Sequence, residues 1–154
     1  MNLNNKWIFE ALWWIFTFLL VLVILFPLYN EVIDYPFYTI NTIAIVSFIT
    51  TTRYIFFLKH TPIAEWQIGK AVIIIACIPL IFNLVNNINY FQTYLDEQGI
   101  LSIMGDLHPS RIDALDRYMR NQMILFGVGG VISAIVLPIR LIISVWRLRN
   151  KGTI

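Results

Sequence analysis

The chain has 154 residues, 58% of them hydrophobic and 13% charged, with a mean hydropathy of +0.72. A water-soluble domain of this size would be left with large exposed apolar patches, so the composition excludes an ordinary soluble fold and points to lipid as the main solvent. The net charge of +2 leaves no nucleic-acid footprint, and the single cysteine, Cys77, excludes an internal disulfide and a C-x-x-C thiol site.

Four apolar runs follow one another, at residues 7–28, 38–58, 69–88 and 123–146, each about long enough to cross a hydrocarbon core. Lys6 ahead of the first run gives it the look of a signal peptide, but the run is too long for one and no A-x-A-like cleavage site follows, so a retained anchor is expected. Backbone amides in lipid must be satisfied within their own segment, and the runs lack the alternation of barrel strands, so each is expected to be a helix. Residues 29–37 make a short turn containing Pro36. Lys59-His60-Thr61-Pro62 reads as a helix stop followed by a start, with Thr61 as N-cap and Pro62 in the first helical position, which predicts a third helix over 62–98.

The segment 89–122 is 34 residues long (122 − 89 + 1), more than a bundle connection needs. It carries helix signals at both ends. Tyr90, Tyr94 and Leu95 prolong the third helix to a C′ position at Gly99. Ser110 with Asp113 resembles a capping box, Ile112, Leu115 and Met119 share a face, and Asp113/Arg117 and Asp116/Arg120 are spaced i, i+4. The fourth helix is therefore predicted over 110–149, about 60 Å long at 1.5 Å per residue and longer than a bilayer is thick. The expected fold is all-α: one integral membrane domain over 1–154, a four-transmembrane-helix up-down-up-down bundle whose third and fourth helices extend into an outer, periplasmic helical hairpin.

Orientation follows from the basic residues. With the amino terminus inside, Lys6, Arg53, Lys59, Lys70, Arg140, Arg147, Arg149 and Lys151 lie on the inner side, against Arg111, Arg117 and Arg120 outside. The acids Glu31, Asp34, Asp96, Glu97, Asp106, Asp113 and Asp116 fall outside. Trp7, Trp13, Trp14, Trp66 and Trp146 gather toward the inner side, whereas every tyrosine except Tyr54 lies toward the outer. The expected location is a bacterial inner (plasma) membrane with both termini cytoplasmic.

Chemistry is sought where ionisable groups interrupt the spans. Glu10, Arg53 and Arg140 arrive at a similar depth near the inner boundary, with Lys70 close by. Stripes of small and hydroxyl residues mark helix-facing surfaces: Gly129, Ser133, Val136, Arg140 and Ser144 on the fourth helix, Thr39, Thr42, Val46, Thr50 and Arg53 on the second, and Glu10, Trp14 and Thr17 on the first. One reading is a structural cluster in which Glu10 pairs with one arginine and the other snorkels to the surface. A second has the spare arginine, helped by Lys70, receiving an anion such as a lipid phosphate, and a third gives Glu10 a proton-coupled role.

A second polar group is expected at the outer end, from Asn83, Asn86, Asn87, Tyr90 and Tyr94 with Thr39, Asn41, Asn121 and Gln122. It reads either as interhelical amide hydrogen bonds or as a water-filled vestibule. Apolar residues at 21–26, 44–48 and 72–75 separate the two groups, which favours a closed bundle. Pro79 and Pro138 are expected to kink their helices, and Gly127, Gly129 and Gly130 to allow close approach. His60 and His108 fall on opposite sides, so no haem or metal site is expected, and no cofactor; nucleophile and phosphate-loop motifs are missing as well, so no enzyme activity is expected. The expected role is a non-enzymatic, multi-pass accessory or scaffold subunit. Its partners would be the bilayer, anionic lipid headgroups, and another membrane protein or a second copy, held through the lipid-facing helices or through Ile100, Leu101, Ile103, Met104 and Leu107 of the hairpin. The alternative is a small transporter or lipid- or anion-handling protein using Glu10, Arg53 and Arg140.

Overall fold

A computed structural model of the chain describes residues 3–32, 35–105 and 108–150, so Asp34, Asp106, Leu107 and Lys151 lie outside the described residues. Among those described, every regular element is helical. The order is α1 (Leu3–Glu31), α2 (Tyr38–Phe57), two 3₁₀ turns (Leu58–His60 and Pro62–Ala64), α3 (Gln67–Gln98), a short α4 (Leu101–Met104), α5 (Pro109–Met123), a π-helical stretch (Ile124–Val128) and α6 (Gly129–Arg149). Four stretches, Asn5–Glu31, Tyr38–His60, Gln67–Gln98 and Pro109–Arg149, are long and apolar enough to cross a membrane.

Local chemistry explains most of the boundaries. Gly99, at φ 71°, ends α3 by returning its N–H to the Leu95 carbonyl at 3.1 Å, and Gly105, at φ 54°, ends α4 in the same way on Leu101 at 3.0 Å. α1 runs on through Pro27 to Glu31, three residues beyond the expected end at 28 (31 − 28). Two expected caps take other forms. The Thr61 hydroxyl turns back to the Leu58 carbonyl at 2.8 Å, Pro62 opens only a 3₁₀ turn, and α3 begins at Gln67 after an extended Trp66. At α5 the first residue is Pro109 and His108 holds the N-cap position; the Ser110 hydroxyl pairs with His108 Nδ1 at 2.9 Å, so no capping box forms. Of the two i, i+4 pairs, Asp116–Arg120 closes at 2.8 Å, whereas Asp113 and Arg117 are both exposed and do not meet.

The helices are not equally embedded. α2 is central: from Ile40 to Ile55 none of its residues is exposed. α6 packs on it with Gly130, Ser133, Ala134, Leu137 and Leu141 buried. A Cβ on Gly130 would sit 3.2 Å from Leu84 and one on Gly129 2.9 Å from the Phe48 ring, so these glycines do let helices approach closely. Thr51 and Ser133 share a hydrogen bond of 2.6 Å across the α2–α6 contact. α1 touches the rest along one edge, on which Lys6, Thr17, Val21 and Leu28 are buried. Midway along the helices Val21, Ala44, Ile45, Leu84, Ala134 and Leu137 are buried.

Candidate functional site: the Glu10 end

At one end of the bundle the start of α1, the end of α2, the start of α3 and the end of α6 come together. Glu10 Oε1 pairs with Arg53 Nη2 and accepts a hydrogen bond of 3.0 Å from the Tyr54 hydroxyl. The Arg53 guanidinium is buried, lying 4.7 Å from the centre of the Tyr54 ring and 5.9 Å from that of Trp13. Nearby aromatic rings and a carboxylate counter-ion are what makes burial of a guanidinium tolerable. Glu10 Oε2 is also buried and has no hydrogen-bond partner among the described residues.

Arg140 and Lys70 do not join this pair. Arg140 Nε donates to the Ile55 carbonyl at 3.3 Å, tying α6 to the end of α2. Lys70 is completely buried and donates to the Ala64 carbonyl at 2.6 Å and to Ser144 Oγ at 3.0 Å, with no carboxylate in reach among the described residues. The four charges singled out in the sequence therefore form one ion pair and two separate backbone-anchored cations. Below them Lys6 pairs with Glu65 in the turn before α3. The hydrogen bond from Lys6, and then its charge, hold the Glu65 carboxyl below its ordinary value of 4.5.

Beside the ion pair lies an open cavity of about 640 Å³, lined by Trp7, Glu10, Trp14, Tyr54, Pro62, Ile63, Glu65 and Trp66. Helical spacing put Trp14 on the Glu10 face, and in the structure Trp14, half exposed, lines the same cavity as Glu10, while the neighbouring Trp13 is the ring that lies against Arg53. Sequence reasoning also missed Tyr54, although it left a signal. It is the one tyrosine that departs from the distribution of the other six, and it is the one that bonds Glu10. A second groove, of about 500 Å³, runs between α3 and α6 along Ile68, Ile142, Trp146 and Arg149.

The other polar group is not assembled into one site. Asn41 is buried and donates to the Tyr35 hydroxyl at 2.8 Å, while Thr39, Asn83, Asn86, Tyr90 and Asn121 are exposed. Asn87 donates to Asn83 at 3.0 Å along α3 itself, not to a neighbouring helix. Gln122 is buried with neither amide atom bonded among the described residues. These side chains point in different directions because an i, i+3, i+4 pattern on α3 fixes one face but not what that face meets. What fills this end is an apolar cluster of Leu28, Val32, Tyr35, Phe37, Phe91, Leu95, Met104, Leu115, Met119 and Met123. Burial pushes the Tyr35 phenol well above its ordinary range.

Fold and site together define an all-helical protein with four candidate membrane-spanning helices and a buried Glu10–Arg53 pair at one end. No protein family, curated protein or solved structure matches the chain.

Proposed function

We propose that this chain is a non-enzymatic, multi-pass protein of a bacterial inner membrane, with both termini cytoplasmic, working as an accessory or scaffold subunit that binds another membrane protein or a second copy. In this reading the helices alternate up and down, the Glu10 end faces the cytoplasm, and the ends of α3 and α5 stand in the periplasm. The hairpin is not the docking element. Met104 is buried, Ile100 and Ile103 pack against the apolar cluster, and of the apolar residues expected to seek a partner Leu101 alone is exposed, Leu107 lying outside the described residues.

The observation that carries the proposal is the thin attachment of α1. Apolar contact gives no net drive between helices already in lipid, which associate through close packing and hydrogen bonds. α1 uses one edge for this, and leaves Leu12, Ile15, Leu19, Leu22 and Phe26 facing away from the bundle. A photo-cross-linking residue at Leu19 or Leu22, activated in native membranes, is expected to yield a discrete adduct with a second protein chain. Adducts with lipid alone would overturn the proposal. A second reading, in which the chain handles a small ligand, is favoured by the cavity at Glu10.

A further inference from the structure

We infer that the cavity beside Glu10 is a binding site for an organic ammonium group, the cationic end of an amphiphile whose apolar part lies along the tryptophans toward lipid. Its volume of about 640 Å³ falls within the 300–1,000 Å³ usual for small-molecule sites. Its walls carry four aromatic rings, from Trp7, Trp14, Tyr54 and Trp66, and two carboxylates, from Glu10 and Glu65. Their counter-ions, Arg53 and Lys6, are not among the lining residues. A ligand therefore meets the negative side of each ion pair together with ring faces, which are themselves negative. An anion would be repelled by both carboxylates. Two carboxylates and four ring faces on the same walls favour a cation over a neutral apolar group.

One wall is built for its place. The Trp66 ring lies on Gly69, where a Cβ would fall 2.3 Å from the ring, so only glycine at 69 lets the indole close this side. Both Gly69 and Lys70 are buried at the first turn of α3, which anchors the wall from behind. This site is independent of the α1 surface facing away from the bundle, and stands whether or not a second chain docks there.

The ammonium group has two possible sources, a choline- or ethanolamine-type lipid headgroup or a free hydrophobic amine. The test uses the full chain in a nonionic maltoside detergent with labelled phenyltrimethylammonium in equilibrium dialysis, and benzenesulfonate as the anion of matched size. Saturable binding of the cation near one per chain is expected, with at least tenfold weaker binding of the anion. Glu10→Gln should weaken the cation at least tenfold. Because that change also strands Arg53, Gly69→Ala and Trp14→Leu serve as variants that leave the ion pair intact, each expected to weaken binding about fivefold at unchanged helix content. Equal binding of both probes, or unaltered binding in both Gly69→Ala and Trp14→Leu, would overturn the inference. In nanodiscs, weaker apparent probe affinity in phosphatidylcholine than in an uncharged galactolipid identifies a lipid headgroup as occupant, and equal affinity a free amine.

Discussion

The two ends of the molecule draw on similar residues, rings and polar side chains, and end up in opposite states. At the Tyr35 end the chain has a long connection to spend. α4 and α5 fold over the ends of α1, α2 and α3, and Phe37 is enclosed with ring centroids of Tyr35, Tyr90, Phe91 and Tyr94 at 5.6, 5.8, 5.0 and 5.1 Å. The polar groups left inside are neutral: Asn41 on Tyr35, and Gln122. At the Glu10 end only a short turn, from Leu58 to Trp66, joins α2 to α3. It is too short to cover the tryptophans, so the rings there surround a cavity, and the polar groups are charges, some ion-paired and others, Lys70 and Arg140, held by backbone carbonyls. Whether an aromatic cluster becomes core or site depends here on how much chain is at hand to close it.

The most damaging test of the closed end is Phe37→Ala, expected to cost about 3–5 kcal/mol because a fully buried ring leaves a void its neighbours fill only in part. Chemical denaturation in detergent would read it, and a loss under 1 kcal/mol would mean the cap is not cooperative with the bundle. At the open end, Arg53→Met should cost about 3 kcal/mol by leaving Glu10 buried and uncompensated, and adding Glu10→Gln should return at least half of that. A double variant no better than Arg53→Met would show that the two groups act separately.

A smaller effect of opposite sign is expected at Gln122. Replacing this buried, unbonded amide by methionine removes its desolvation cost and should stabilise the protein by about 1 kcal/mol, read as a rise in melting temperature. The smallest effect is pH-dependent. Because Lys6 holds Glu65 below its ordinary value of 4.5, the contact contributes at neutral pH, and the contribution is lost as pH falls below 4.5 and through the depressed value. Glu65 is exposed, so the change is slight, and Lys6→Met should flatten that part of a pH–stability profile. A profile identical in the variant would place the acid sensitivity elsewhere.

Much of the architecture was readable in the chain. The four apolar runs, the stop at Gly99 and the inward face of α5, with Leu115 and Met119 buried and Ile112 partly so, all follow from length and spacing, which are local properties. The site was half readable. Glu10 and Arg53 stood out because charge inside an apolar run is costly, and they do meet. Which arginine would pair was not readable: Arg140 has the same depth and the same kind of stripe, yet its guanidinium reaches a carbonyl of α2 instead. The asparagines of the second polar group failed to assemble for a related reason, since α3 leaves Asn83 and Asn86 exposed while Asn41, on α2, is buried.

By itself the sequence determined that there would be four long apolar helices and that a few charges within them would be expensive, because hydrophobic length and the desolvation of a charge depend on each segment alone. The tertiary structure decided which face of each helix looks inward, that Tyr54 and Trp13 rather than a second arginine complete the Glu10 pair, and that Trp66 on Gly69 walls a cavity. Those outcomes turn on rotations of about 100° per residue and on contacts of a few ångströms between segments far apart in the chain, which no single segment specifies.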